Sequence, residues 1–191
     1  RRSWNGACEL LRRGLGSAAP VAWFEQRSGR DLTLNWYTCE YMSGQVSIGR
    51  AFSAFARGES VYEGLTAEEV YRNLASFLLR MHGRGIFFRD LSGGNILAQR
   101  TPQGGLAFAL IDTARIRLYP QGVPVRHRMA DLARACHKLH PEGRETFMAI
   151  YLKGLGQRFT PWQRAGFRLY DLKAALKRRL RKTRAYRALK R

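Results

Sequence analysis

Acidic residues, paired cysteines and long apolar runs are all scarce in this sequence, and each scarcity excludes something. Fourteen Asp and Glu face 34 Lys and Arg, a formal charge of +20 that repels itself and predicts an anionic partner. The three cysteines, Cys8, Cys39 and Cys136, are odd in number and far apart, which argues against a disulfide framework and for a reducing compartment. No stretch reaches the roughly 18 apolar residues of a membrane-spanning helix, the best run being 106–111, so a membrane role would be a surface role. The signatures G-x-x-x-x-G-K-[ST], H-E-x-x-H, C-x-x-C and G-x-S-x-G are missing, which removes the usual support for phosphate-loop, zinc-hydrolase and serine-hydrolase chemistry. There is no signal-peptide pattern, and the chain opens Arg1-Arg2-Ser3-Trp4 inside a helical pattern, as expected of a fragment whose beginning is missing. What is present, 45% hydrophobic and 12% aromatic residues over 191 positions, supports one packed core rather than a disordered polycation.

Trp4, Ala7, Cys8, Leu11 and Leu15 recur at helical spacing, and Gly14, Gly16 and Pro20 end the pattern. Gly14-Leu15-Gly16 with Ala19 imitates a dinucleotide fingerprint, but it follows a helix where that motif must follow a strand, so it reads as a helix C-cap. Residues 21–26 and 32–41 are β-rich and joined by Arg27-Ser28-Gly29-Arg30, which predicts a hairpin. The lobe boundary falls near Ser43, and the stretch up to Gly64 shows no clean period. Thr66 and Glu69 form a capping box ahead of a helix whose apolar face is Val70, Leu74, Phe77, Leu78 and Met81. Short apolar runs at 86–88 and 96–98 bracket a polar loop, and a strand over 106–111 stops at Asp112. From 129 to 156 the pattern is helical, broken at Pro141 and Gly143; Cys136, His137 and His140 read as ordinary helix residues rather than metal ligands. The chain divides into 1–42 (helix, hairpin and hinge), 43–168 (the main lobe) and 169–191 (a basic helical tail).

The chemistry-bearing set is Asp90 and Asn95 in the spacing D-x-x-x-x-N, followed 17 residues later by Asp112 at a strand end. Phosphoryl transfer needs a carboxylate to accept the proton of the attacking hydroxyl and oxygen ligands for Mg²⁺. Asp90 suits the first task, and Asn95 and Asp112 suit the second. Each also has an ordinary reading: a turn cap, a turn residue and a strand terminator.

From His82 to Arg117 the chain resembles the catalytic core of protein-kinase-like folds. Ile111-Asp112-Thr113-Ala114-Arg115 resembles the I-D-x-x-R segment of the lipopolysaccharide core heptose and Kdo kinases, and Asp131-Leu132-Ala133-Arg134 is similar to a helix of that family. The resemblance implies an α+β, protein-kinase-like fold with a partial N-terminal lobe and a mainly helical C-terminal lobe. It implies ATP and Mg²⁺ as cofactors, a heptose or Kdo hydroxyl of the inner core as acceptor, and a hinge at Glu40, Tyr41 and Met42 that could pair with adenine or be a plain strand edge. Arg115 and Arg117 read either as surface charge or as contacts to acceptor phosphates. Phe88 stands where most relatives carry the His before Arg-Asp. The Gly-rich loop and strand Lys of an ATP site would precede Trp4, so this chain alone is expected to be weak or inactive.

Residues 172–191 hold ten Lys or Arg and no acid, with Leu169, Leu172, Leu176 and Leu180 as a narrow apolar stripe. A helix of this kind fits an anionic membrane surface, which together with the resemblance gives a cytoplasmic location, peripheral on the inner membrane. Tyr170 and Tyr186 are too sparse for a nucleic-acid stacking platform, so no specific nucleic acid is expected. Two alternatives stand beside the core kinase. One is a small-molecule kinase resembling aminoglycoside or choline phosphotransferases, whose acidic pockets suit a +20 chain poorly; the other is a non-catalytic basic module binding anionic lipid or nucleic acid.

Overall fold

The computed structural model describes residues 1–182. The first helix, α1 (Arg2–Arg12), buries Gly6, Ala7 and Leu10, while Leu11 stays exposed. It ends because Gly14 takes φ +64°, letting the N–H of Gly14 reach the carbonyl of Leu11 at 2.8 Å and that of Leu15 reach Leu10 at 2.9 Å. This is the paired-bond helix stop that glycine permits, with Leu10 and Leu15 both buried beside it. The next two residues continue differently from the sequence expectation: β1 (Gly16–Ser17) joins a distant strand.

β2 (Pro20–Ser28) and β3 (Asp31–Cys39) form the expected hairpin around Gly29. One face meets α1 through Tyr37, whose ring sits edge-on to Trp4 at 6.5 Å. The other face carries the cross-strand pair Phe24 and Trp36, 58% and 53% exposed. β4 (Val46–Ser47) then leads into α2 (Ile48–Ala56), a helix that the sequence pattern does not announce because its buried positions are largely small residues: Gly49, Ala51 and Ala54 beside Ile48 and Phe52. A short hairpin of β5 (Val61–Tyr62) and β6 (Leu65–Thr66) precedes the central helix α3 (Ala67–Gly83). Thr66 caps α3 through the N–H of Glu69 at 3.3 Å, but the Glu69 carboxylate is held by Arg100 at 2.8 and 2.9 Å, so only half of the predicted capping box forms.

β7 (Ile86–Phe87) pairs with β10 (Arg117–Leu118), while β8 (Ile96–Arg100) and β9 (Leu106–Leu110) pair with each other. The main sheet runs β1-β9-β8-β4, with β1 parallel to β9 and the other pairs antiparallel. α4 (Val125–Ala135), α5 (Pro141–Lys153) and α6 (Pro161–Lys182) complete the chain. Pro141 starts α5 rather than breaking a helix, since proline at the first turn forfeits no hydrogen bond. Gly143 lies within α5 rather than breaking it, and a Cβ there would stand 2.7 Å from the Tyr71 hydroxyl, which accounts for the glycine.

The core centres on α3. Val70, Leu74, Leu78 and Met81 have no exposure, and Phe52, Tyr71 and Phe147 meet edge-on at 5.9 to 6.4 Å. Each such side chain contributes about 1.5–3 kcal/mol on burial. α6 is tied back by Asp171, which takes Arg144 at 2.7 Å and His137 at 2.8 Å, and it runs unbroken through residue 169. The rest of the basic tail, 183–191, lies outside the described residues.

Candidate active site

The loop 88–95 takes its shape from a carboxylate beneath it. Asp131 on α4 is fully buried and accepts the backbone N–H groups of Phe88 at 2.8 Å and Arg89 at 3.1 Å. Those two bonds hold Arg89 at φ +61°, a left-handed conformation uncommon outside glycine. His82 backs Asp131: its Nε2 faces Oδ2 at 3.5 Å, too long for a strong hydrogen bond, and its Nδ1 lies 2.7 Å from the Tyr151 hydroxyl. Burial pushes the His82 pKa down, with Asp131 pulling the other way, and Nδ1 shares a hydrogen bond with the Tyr151 hydroxyl. Burial also pushes the Tyr151 hydroxyl up to about 12. Phe88 is fully buried and serves as core.

Asn95 links the three motif residues. Its Nδ2 donates to the carbonyl of Asp90 at 2.9 Å, and its own carbonyl accepts the N–H of Ile111 at 3.1 Å. The strand end carrying Asp112 is thereby fastened to the loop carrying Asp90. Asp112 adopts φ +57° and ψ +53°, and its residue is exposed. Because Nδ2 is spent on Asp90, the remaining polar atom of the Asn95 side chain is an acceptor oxygen. That oxygen and the Asp112 carboxylate are both hard donors of the kind Mg²⁺ prefers. Among the described residues no three His, Cys, Asp or Glu side chains are grouped so as to hold a metal. Burial pushes the Cys136 thiol up, making it inert.

α1 presses on the turn that follows Asp112. The Thr113 hydroxyl donates to the carbonyl of Ser3 at 2.7 Å, and Gly6 comes so close that a Cβ would stand 2.2 Å from the Thr113 carbonyl oxygen. Arg115 turns back to Asp90, its Nη1 at 2.9 Å from Oδ2 and 3.2 Å from Oδ1. Arg117 goes elsewhere: it is exposed, with its guanidinium 5.4 Å from the Tyr119 ring centre. Glu40, Tyr41 and Met42 form the connection from β3 to β4; the Glu40 N–H bonds the Ala19 carbonyl at 2.9 Å and Tyr41 is 92% exposed. The support residues His82 and Tyr151 carry no sequence signal for their pairing, being 69 positions apart. The positive φ of Arg89 is equally invisible in the sequence.

No family model and no curated protein matches this chain. Among solved structures, WaaP in complex with acyl carrier protein aligns with 93% of this chain and 75% of its own, at 20% identity and a TM-score of 0.63. The Rio2 kinase from Chaetomium thermophilum, solved as an ADP/Mg²⁺-phosphoaspartate complex, aligns with 95% of this chain and 54% of its own, at 15% identity and a TM-score of 0.43. The likeness to WaaP shows the fold, α+β and protein-kinase-like, in agreement with the resemblance read from residues 82–117.

Proposed function

We propose that this chain is an ATP- and Mg²⁺-dependent phosphotransferase acting on a heptose or Kdo hydroxyl of the lipopolysaccharide inner core. The observation that carries the reading is the double tie of Asn95, to the Asp90 carbonyl and to the strand end bearing Asp112. Asp90 takes the proton of the attacking hydroxyl, the Asn95 oxygen and the Asp112 carboxylate hold the metal, and the main chain of Glu40–Met42 meets the adenine. When bound, the metal-nucleotide supplies the phosphoryl group and offsets its charge. The charge of +20 favours an anionic glycolipid acceptor over the cationic acceptors of aminoglycoside-type kinases.

Exposed Leu169, Leu172 and Leu176 beside Lys173, Lys177, Arg178, Arg179 and Arg181 on α6 support contact with an anionic membrane, at about 1 kcal/mol per basic residue. No helix among the described residues is long and apolar enough to cross a membrane. A peripheral place on the cytoplasmic face of the inner membrane follows from this reading. The WaaP structure, solved with acyl carrier protein, adds such a carrier as a partner to test.

A second reading, a non-catalytic basic module, draws support from Arg115, which occupies the Asp90 carboxylate. Incubating the chain with ATP, Mg²⁺ and an inner-core acceptor lacking the phosphate decides between them. Since this chain alone is expected to be weak, phosphorus NMR after long incubation is expected to show slow formation of a new sugar phosphate monoester that disappears in Asp90→Ala and in Asp112→Ala. Turnover persisting in both variants would falsify the assignment, and no product from the wild-type chain even at millimolar nucleotide and long incubation favours the module.

A further inference from the structure

A cleft of about 650 Å³ opens between α1 and residues 113–118, next to the loop that bears Asp90. Three arginines from three separate segments line it: Arg2 of α1, Arg89 of the loop and Arg115 after Asp112. Its one acid, Glu9, is already engaged, 2.8 Å from Arg12 and 3.2 Å from Arg13, and these partners hold its carboxyl below the usual range. Arg2 and Arg89 have no ion-pair partner among the described residues. Arg89 reaches this wall because Asp131 fixes its backbone at φ +61°. Three guanidiniums around one cavity repel each other and draw an anion in, and their planar forks match the oxygens of a phosphate group.

Arg115 belongs to both the cleft and the catalytic carboxylate. Its side chain is 56% exposed and that of Asp90 34%, so water screens the pair and the contact exchanges readily. We propose that the cleft is a phosphate-group site formed by Arg2, Arg89 and Arg115, and that its occupant draws Arg115 off Asp90, freeing the base. The freeing step rests on the reading of Asp90 as proton acceptor; the site itself does not. An acceptor carrying a phosphate would then switch on the carboxylate that acts on it. A free phosphate would do the same as an effector.

The test is a titration of the full chain with inorganic phosphate in the absence of nucleotide, followed by phosphorus NMR. Saturable binding is expected. It should weaken roughly tenfold or more in Arg2→Ala and in Arg89→Asn, the latter chosen because asparagine tolerates the left-handed backbone. Asp90→Asn should tighten binding several-fold by removing the competitor for Arg115, and that gain should vanish in an Arg115→Ala background. Arg30→Ala, in the exposed turn between β2 and β3, should change nothing. Wild-type affinity in both Arg2→Ala and Arg89→Asn, or a gain from Asp90→Asn that survives without Arg115, overturns the proposal. Repeating the titration with a sugar phosphate identifies the source: tighter binding than inorganic phosphate assigns the site to the acceptor, and equal binding assigns it to a free anion. Failure of this titration leaves the catalytic assignment standing, whereas a chain that binds phosphate yet transfers none fails only that assignment.

Discussion

Asn95 and Asp90 are joined side chain to main chain, the amide Nδ2 giving its proton to the Asp90 carbonyl at 2.9 Å. The residue read as a metal ligand therefore also sets the loop of the base. Asn95→Asp keeps an oxygen donor but turns a carboxylate against that carbonyl. Its turnover is expected to fall about 10²-fold through misplacement of Asp90, with metal dependence retained. Asn95→Ala loses both roles, and its activity should in addition require more Mg²⁺. Steady-state kinetics across a Mg²⁺ series separates the two.

Asp131 satisfies two backbone N–H groups from a position with no solvent exposure. Asp131→Ala leaves them without their carboxylate, and the chain should lose about 3 kcal/mol of stability. Urea unfolding followed by circular dichroism measures this as a lower midpoint. An unchanged midpoint would show that the loop finds other partners.

Stability should fall as pH drops below about 6.5, the ordinary histidine value. Burial lowers the His82 pKa in the folded chain, so below that value the unfolded chain binds a proton that the folded chain refuses. His127 adds to the same trend, lowered first by burial and then by Arg126 and Arg117. Denaturant titrations between pH 5 and 7 should show a slope of up to about one proton per histidine, reduced in His82→Gln.

Gly6→Ala puts a methyl group where the Thr113 carbonyl oxygen stands, 2.2 Å away. Backbone cannot yield as a flexible side chain can, so α1 must lift from the turn after Asp112. A loss of about 1–3 kcal/mol is expected, with a fall in turnover larger than that of an equally destabilising change on α6. Thermal melts paired with kinetics check both.

Neutralising Lys173, Lys177, Arg178, Arg179 and Arg181 to Gln should abolish sedimentation with vesicles containing anionic lipid. The wild-type chain should release from them as salt rises, since exposed charges are screened within about 8 Å at physiological ionic strength. Binding to neutral vesicles is expected to be absent in both.

Much of this architecture is legible locally. The α3 face, the hairpin turn at Gly29 and the stop of α1 at Gly14 rest on periodicity and turn chemistry confined to a few neighbouring residues. α2 escaped because it is only nine residues long and rich in Gly and Ala, leaving few large apolar side chains to set a period, and the half-formed capping box escaped because Arg100, far along the chain, competes for Glu69. The order Asp90, Asn95, Asp112 could be read directly; that Asn95 holds both neighbours could not.

By itself, then, the sequence determined the basic charge, the short-range elements and the identity of the three motif residues, since composition and local spacing carry that information. Tertiary structure alone decided that β1 joins β9, that His82 meets Tyr151 69 positions on, that Thr113 bonds Ser3 across 110, and that Arg115 returns 25 positions to Asp90. Such contacts are selected by burial and by the pairing of polar groups that burial strands. Both act between segments remote in the chain and leave no trace in any local window.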